Sequence, residues 1–193
     1  GGFCPMIRTF VALDLPMTVR QSLGGLIEAF RKSGAAVAWV KGERIHLTLK
    51  FLGNVAPERI DGIKDALGKA AASVSPFRLQ PGGCGAFPSL KQMRVVWVGM
   101  KGDLEGLSTL RSRVEAALAP LGFEPEGRRF RPHLTLGRVK GPRGNRELTE
   151  ILLANLAFET EAFDVSDLVL YKSDLKPDGA HYTPLYRAGF ARG

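Results

Sequence analysis

A tetrapeptide that begins with histidine occurs twice in this chain, and its two histidines are the residues best suited to chemistry. The tetrapeptides are His46-Leu47-Thr48-Leu49 and His133-Leu134-Thr135-Leu136, and the chain contains three histidines in all. Their alternation predicts strands whose leucines face the core while histidine and threonine share the opposite face. One copy of so short a motif carries little weight, whereas a second copy with the same leucines indicates a site.

Two imidazoles that face one site are suited to paired acid and base catalysis. One takes a proton from water while the other protonates a departing alkoxide, and histidine ordinarily titrates near neutral pH. The hydroxyls of Thr48 and Thr135 are suited to binding phosphate oxygens, and Arg138 adds a charged fork. Arg138 is the fifth residue after His133, a position that faces away on an ideal strand. We therefore expect a bulge or a strand end at Gly137.

Other interpretations of these residues remain open. Phe51, the fifth residue after His46, is able to stack on a nucleobase or to belong to the core. A metal site competes for the histidines, but neither motif contains an acidic or cysteine ligand, so no metal and no cofactor are expected. His181 lies outside the repeat and is expected to have a surface or turn role.

The overall charge indicates a polyanionic partner. The chain has 27 Lys and Arg residues against 19 Asp and Glu, a net charge of +8. A run from Arg128 to Arg146 is basic and contains no acidic residue, although a solvated basic loop accounts for it equally well. No apolar segment matches a membrane span or a signal peptide, so a cytoplasmic monomer is expected. Residues 1–5 are expected to be a disordered extension or a cloning remnant.

The elements that carry the motifs also repeat. Strand, helix, motif strand and helix are predicted over residues 8–73 and again over 94–156. Between them, residues 77–87 are predicted to be extended, with a turn-rich centre at 81–83. Two strands follow, at 162–171 and 182–190, joined by a turn at 172–180. Such a duplicated β-α-β-α unit predicts a pseudo-twofold axis that places the histidines across one cleft. Residues 6–193 are therefore expected to form a single two-lobed domain.

The paired motifs resemble those of the two-histidine (2H) phosphoesterase superfamily. The flanking segments narrow the resemblance to the RNA 2′,3′-cyclic phosphodiesterases, a family also named 2′-5′ RNA ligase or LigT-like. These segments are Arg8–Pro16, Leu47–Gly53, Val95–Gly99 and Tyr182–Leu185. The likeness extends over residues 6–190, which is nearly the whole chain.

The resemblance implies a bilobal α+β fold with antiparallel sheets around a central cleft. It implies a hydrolase that opens a terminal 2′,3′-cyclic phosphate of RNA to a 2′-phosphomonoester without metal. Members of the family also join RNA ends through 2′-5′ linkages in the reverse direction, and the sequence leaves open whether this chain does so. By this analogy His133 activates the water and His46 protonates the leaving 3′-oxygen. Thr48, Thr135 and Arg138 are then expected to bind the phosphate oxygens.

Two alternatives to this function stay open at the level of sequence. The first is an RNA-end binding module whose histidines only hydrogen-bond phosphate, which differs from the enzyme in lacking turnover. The second is a 2H enzyme that acts on a small cyclic nucleotide or on an ADP-ribose cyclic phosphate. Composition does not separate these substrates, because the basic run is only mildly in favour of RNA.

Overall fold

Two antiparallel sheets and four helices make up the part of the chain that the computed structural model describes, residues 5–192. The α+β architecture expected from the sequence is confirmed. The expectation for residues 1–5 concerns mainly residues 1–4, which lie outside the described residues. The elements are β1 (Ile7–Leu13), α1 (Met17–Arg31), β2 (Val37–Trp39), β3 (Leu47–Val55), α2 (Ile60–Ala72), β4 (Phe77–Pro88), β5 (Met93–Gly102), α3 (Leu104–Leu118), β6 (His133–Val139), α4 (Asn145–Ala154), β7 (Phe163–Val165), β8 (Asp167–Lys176) and β9 (Gly179–Gly189).

The strand pairing shows the duplication. The first sheet has the order β3-β1-β8-β9 and the second the order β2-β6-β5-β4-β7. The motif strand β3 pairs with β1 in one sheet, and the motif strand β6 pairs with β5 in the other. Strand β2 departs from the repeat, because it belongs to the first half of the chain but pairs with β6 of the second.

The helices form because their apolar residues recur on one face. In α1 that face is Val19, Leu23, Leu26, Ile27 and Phe30, all of them buried. Helix α3 begins where the Asp103 carboxylate accepts a hydrogen bond of 2.8 Å from the backbone N–H of Gly106, a cap that typically stabilises by about 1 kcal/mol. It ends before Gly122, whose φ of 92° suits a glycine. Helix α3 contacts β3, and so reaches the first motif strand.

The two faces of the first sheet bury different clusters. Val11 and Leu13 of β1 join the main core, which continues into the second sheet. The alternate residues of β1, together with residues of β8 and β9, form a smaller cluster on the other face, namely Phe10, Ala12, Val169, Tyr171 and Tyr182. This smaller cluster packs beneath His46, since Phe10, Tyr171 and Tyr182 all contact its ring.

The last third of the chain differs from the sequence-based prediction. The extended run at 162–171 is two strands in different sheets, since β7 pairs with β4 and β8 pairs with β1. The predicted turn at 172–180 is wrong, because β8 and β9 continue to Lys176 and from Gly179. The polar residues of this stretch are typical of a loop, yet cross-strand pairs such as Leu175 with Ala180 extend the hairpin.

The extended segment predicted at 77–87 is confirmed as strand β4, and its turn-rich centre at 81–83 is a bulge within that strand. Strand β4 runs through it, and its register against β5 shifts between Pro81 and Cys84. Gly83 has a φ of 72° at this point, which only glycine adopts readily. Within residues 5–192 the structure contains no helix that is both long and apolar enough to cross a membrane.

Candidate active site

The first motif strand carries an irregularity inside the motif. Ala12 of β1 lies opposite Thr48, and the next residue, Val11, lies opposite Lys50. Leu49, the second leucine of the motif, is therefore an extra residue in β3. Such a β-bulge shifts the alternation of the strand by one residue from that point on.

The second motif strand carries the same irregularity at the equivalent place. Trp97 of β5 lies opposite Thr135, whereas Val96 lies opposite Gly137. Leu136, again the second leucine of the motif, is the extra residue. The bulge expected near Gly137 is thus confirmed, one residue earlier than the glycine itself.

These bulges bring the fifth residue after each histidine onto the histidine's face. Arg138 and Phe51 both line the cleft as a result. Phe51 is 63% exposed, and its ring centroid lies 6.1 Å from that of Phe10. Phe51 is therefore a surface of the cleft and not a core residue.

A single cleft of about 1050 Å³ contains every site residue that the sequence predicted. Residues of both sheets line it, as the duplication required. The predicted residues along its walls are His46, Thr48, Phe51, His133, Thr135 and Arg138.

The two histidines are oriented by the same local hydrogen bond. Nδ1 of His46 lies 3.0 Å from the carbonyl oxygen of Arg44, and Nδ1 of His133 lies 2.7 Å from that of Arg131. A carbonyl oxygen only accepts, so Nδ1 carries the proton and donates in both rings. In the neutral form of each ring, Nε2 is consequently the nitrogen with the free lone pair.

Nε2 of His46 lies among charged groups. Nη2 of Arg20 is 3.0 Å from it, and Oδ1 of Asp14 is 3.4 Å from it. The ring centroids of Tyr171 and Tyr182 lie 4.5 and 5.4 Å from that of the imidazole. Only 7% of the His46 side chain is exposed, so protein groups and not bulk water determine its surroundings.

Asp14 is the centre of this network. Its carboxylate accepts hydrogen bonds from Nη2 of Arg20 at 3.1 Å, from Nη2 of Arg187 at 2.7 Å and from the hydroxyl of Tyr171. Hydrogen bonding to His46, followed by that to Tyr171 and Arg187, holds the pKa of Asp14 well below its usual range despite partial burial. Burial, followed by the hydrogen bond to Asp14, raises the pKa of Tyr171 above its usual value. Asp14 is therefore a carboxylate and Tyr171 a neutral phenol near neutral pH.

His133 has much simpler surroundings. The ring of Phe87 packs edge-on against it, with the centroids 5.1 Å apart and the planes at 90°. Within residues 5–192 its only hydrogen bond is the one to Arg131, and no carboxylate pairs with it. Nε2 of His133 is therefore available to a substrate or to water.

The walls of the cleft are strongly basic. Of the basic run predicted from the sequence, Arg128, Arg129, Arg131 and Arg138 line the cleft. The remaining basic residues of the run do not, and two of them bind elsewhere: Arg143 donates to the carbonyl of Gly34 and Arg146 pairs with Glu150. Arg8, Arg44 and Arg111 add further positive charge from outside the run, and Glu126 is the single acidic residue among the lining residues described.

A buried ion pair fixes one wall of the cleft. Nζ of Lys50 lies 2.9 and 3.1 Å from the carboxylate oxygens of Glu115 in α3 and 2.8 Å from the carbonyl of Glu124. Arg111 joins the same carboxylate at 3.5 Å and stacks over the ring of Phe130 at 4.7 Å. The loop between α3 and β6 is thereby tied to the first motif strand.

His181 lies outside the set of residues that line the cleft. Its Nε2 is 2.8 Å from Oδ1 of Asp178, at the tip of the β8–β9 hairpin. Arg44 reaches the same tip, with contacts of 3.2 Å to the Asp178 carboxylate and to its carbonyl. The hydrogen bond to His181, and next that to Arg44, lowers the pKa of Asp178 to about 2. The hairpin tip is thus fastened to the residue whose carbonyl orients His46.

Sequence reasoning did not identify Asp14, Arg20, Tyr171 or the Lys50 pair as part of this site. Asp14 ends an apolar strand and precedes Pro16, a pattern that does not indicate which side chains converge on it. Its partners come from α1, β8 and β9, which lie far apart along the chain. Only the segments Arg8–Pro16 and Tyr182–Leu185, on which the family resemblance rests, directed attention to these regions.

Comparison with known proteins places this site in a family. The model of the 2′-5′ RNA ligase superfamily matches residues 19–177. An RNA 2′,3′-cyclic phosphodiesterase of Methanothermobacter thermautotrophicus is 34% identical over 93% of this chain and 96% of its own length. A Thermus thermophilus protein of known crystal structure superposes with a TM-score of 0.78 at 27% identity, covering 95% of this chain and 98% of that one. Escherichia coli LigT, crystallised with 3′-AMP, superposes with a TM-score of 0.75 at 27% identity, covering 97% and 99%. The resemblance drawn from the paired motifs is confirmed, and this chain belongs to the 2′-5′ RNA ligase superfamily of 2H phosphoesterases.

Proposed function

We propose that this protein is an RNA 2′,3′-cyclic phosphodiesterase that uses His133 as general base and His46 as general acid. The observation that carries the proposal is the pair of imidazoles in one basic cleft, each fixed by the same Nδ1 hydrogen bond. Relatives of similar length bear the name of this activity, at 34% identity for the example above. The two imidazoles supply both proton transfers, so the reaction needs no metal.

In the proposed reaction, one proton is taken from the attacking water and one proton is given to the leaving oxygen. Arg138 and the hydroxyls of Thr48 and Thr135 bind the non-bridging oxygens of the cyclic phosphate. Nε2 of His133 takes a proton from water as the water oxygen bonds to phosphorus. The bond from phosphorus to the 3′-oxygen breaks, and His46 protonates that oxygen, which leaves a 2′-phosphomonoester.

The same arrangement accounts for ligation within the proposal. A 5′-hydroxyl of a second RNA takes the place of water and gives its proton to His133. Phosphorus then becomes bonded to that 5′-oxygen while the 3′-oxygen leaves as before, which yields a 2′-5′ linkage. Hydrolysis prevails wherever water outcompetes the second RNA end for the same position.

The size and charge of the cleft favour an RNA end over a small cyclic nucleotide. Pockets for drug-sized ligands typically hold about 300–1000 Å³, whereas this cleft of about 1050 Å³ is at the upper limit and is lined with arginines. The exposed ring of Phe51 offers a surface on which an unpaired base stacks.

One assay tests the proposal against both alternatives. The protein is incubated in EDTA with a short RNA that ends in a 2′,3′-cyclic phosphate, and the product is identified. Conversion to the 2′-phosphate is expected, and it should fall by at least ~10²-fold in His46→Ala and in His133→Ala. Arg78→Ala is the control, because it removes a largely exposed basic residue that does not line the cleft.

The other outcomes of this assay each select an alternative. Salt-sensitive binding of the RNA without conversion would leave the binding module as the explanation. Neither turnover nor binding would indicate a small cyclic phosphate as the substrate. The same assay is also run without EDTA. Conversion that occurs without EDTA but not with it would contradict a metal-free mechanism.

A further inference from the structure

The imidazole of His46 lies between an acid and a base that the reaction scheme above does not use. Oδ1 of Asp14 is 3.4 Å from its Nε2, and Nη2 of Arg20 is 3.0 Å from the same nitrogen. Asp14 and Arg20 also contact each other, at 3.1 Å. A carboxylate that only accepts and a guanidinium that only donates therefore meet at the nitrogen that carries the catalytic proton.

We infer that Asp14 and Arg20 are positioning residues that determine the protonation state of His46 and thereby make it the acid of the pair. This inference rests on the proposed function. It adds to that function a physical reason why two histidines in identical motifs take opposite roles.

Each protonation state of His46 has its own partner without any movement of the ring. In the imidazolium, the Asp14 carboxylate, 3.4 Å from Nε2, balances the positive charge of the ring and leaves the Nε2–H bond for the leaving oxygen. Once that proton has passed to the leaving 3′-oxygen, the free lone pair on Nε2 accepts from Nη2 of Arg20. Nδ1 keeps donating to the carbonyl of Arg44 throughout. The ring stays oriented before and after the transfer.

The charged groups that face His46 come from several elements packed around it. Asp14 is the only carboxylate in contact with the ring among the residues described, and the hydrogen bonds from Arg187 and Tyr171 keep it ionised. Arg20 from α1 is the cation in contact with the ring, and Arg187 from β9 is a second cation, bound to the far oxygen of Asp14. Tyr171 and Tyr182, from β8 and β9, contribute uncharged rings. The guanidinium of Arg44 is directed away, to Asp178 and His181.

His133 has no counterparts of Asp14 and Arg20 among the described residues. Its Nε2 has neither a carboxylate nor a guanidinium partner within residues 5–192, and its neighbour is the apolar ring of Phe87. In the neutral ring, the Nε2 lone pair is therefore free to accept the proton of water. The two roles therefore follow from the groups around the motifs and not from the motifs themselves.

The dependence of kcat on pH is the readout, because it separates a charge effect from a structural one. Paired catalysis gives a bell-shaped profile, whose alkaline limb reports loss of the acid and whose acid limb reports protonation of the base. Asp14→Asn removes the negative charge but keeps the shape, so the alkaline limb should move to lower pH by about one unit or more. Arg20→Gln removes the opposing cation, so the same limb should move to higher pH. The acid limb should stay in place in both variants.

Asp164→Asn and Arg78→Gln are the matched controls. These residues form an ion pair of 3.5 Å between β7 and β4, both side chains are largely exposed, and neither lines the cleft. The two control substitutions change the net charge of the protein by the same amounts as the test substitutions. Both controls should keep the wild-type profile.

Three results would overturn the inference. One is an alkaline limb that stays in place in both test variants while kcat falls equally at every pH, which is the signature of a structural role. Another is movement of the acid limb, which would make His46 the base. The third is a wild-type enzyme without turnover or without a bell-shaped profile, which rejects the proposed function itself before any variant is compared. Should Asp14→Asn fail to fold, because it also holds Arg187 and Tyr171, the direction of the Arg20→Gln shift decides alone.

Discussion

His46 and His133 lie in segments with the same sequence, the same bulge and the same Nδ1 hydrogen bond, yet their neighbours have little in common. His46 is almost fully enclosed, between Asp14 and Arg20. His133 packs against one phenylalanine, close to the arginines of the basic run. The comparison shows that the same strand geometry orients both imidazoles, while the groups around them differ; under the proposal above, those groups assign the two chemical roles.

The largest effect is expected from removing the two histidines singly and together. Each alanine variant should lose at least ~10²-fold in kcat, since a general acid or base typically contributes that much. The double variant should lose little more than the worse single variant, because both act in one step and such effects are not additive. Single-turnover rates measure this. Losses that multiply in the double variant would show that the two halves act independently.

The fourth residue after each histidine differs between the two motifs, and each of these residues contributes to the stability of the fold in a different way. Lys50 is 4% exposed and bound to Glu115, so Lys50→Met leaves a buried carboxylate and should cost about 3 kcal/mol of unfolding free energy. Combining it with Glu115→Leu should recover most of that loss. Urea titration monitors both. An unchanged midpoint for Lys50→Met alone would show that Arg111 suffices as the partner of Glu115.

The equivalent residue in the second motif is Gly137, where the constraint is one of space. A Cβ there would lie 2.7 Å from side-chain carbons of both Trp39 and Val37 in β2. Gly137→Ala should consequently destabilise through overpacking, by about 1–3 kcal/mol in the same titration. A neutral effect would mean that β2 moves aside freely.

Position five provides the third contrast, between charge and stacking. Arg138→Ala removes a charge-assisted contact to phosphate and should lower kcat/KM by about 10- to 100-fold. Phe51→Ala should chiefly raise KM, by about 5-fold or more, because base stacking stabilises binding by ~1–3 kcal/mol. The Phe51 effect should vanish on a substrate that is abasic at its 3′ end. An unchanged kcat/KM for Arg138→Ala would mean that the Arg138 side chain is solvated in the cleft and does not bind the phosphate.

The smallest effect concerns the arginines two residues before each histidine. Arg44 is held by Asp178, while Arg131 makes no ion pair among the residues described. The pKa of Asp178 falls from its ordinary 3.8 to about 2 on folding, so its stabilising contribution is present above 3.8 and is lost as the pH falls through 2. The difference in Tm between wild type and Asp178→Asn should therefore shrink over that interval. A constant difference would exclude the ion pair as its cause.

Local structure was largely predictable from this sequence, for a definite reason. The apolar spacing of α1 and the alternation of the motif strands are properties of neighbouring residues, and they predicted both elements to within a few positions. The bulge was predictable too, because Arg138 could not reach the site without one. Such features depend on geometry that a short segment carries by itself.

What the sequence did not reveal depends on which distant segments become neighbours. The hydrogen-bond partners of the Asp14 carboxylate are Arg20, Tyr171 and Arg187. These residues come together only after β1 has paired with β8 and β8 with β9. The division of residues 162–171 between two sheets is equally non-local, since β7 pairs with β4 and β8 pairs with β1. No local pattern distinguishes these pairings from a continuous strand.

The strand order of the first sheet has a consequence for synthesis on the ribosome. β1 and β3 emerge early, but their remaining partners β8 and β9 belong to the last segment of the described chain. The second sheet receives β2, β4, β5 and β6 earlier and lacks only the short β7. During translation the half of the protein that contains His133 is thus nearly complete while His46 still lacks Tyr171 and Tyr182. The His46 side of the cleft is the last part to be assembled, and a chain that stalls before β8 emerges has an unfinished first sheet with an exposed β1 edge.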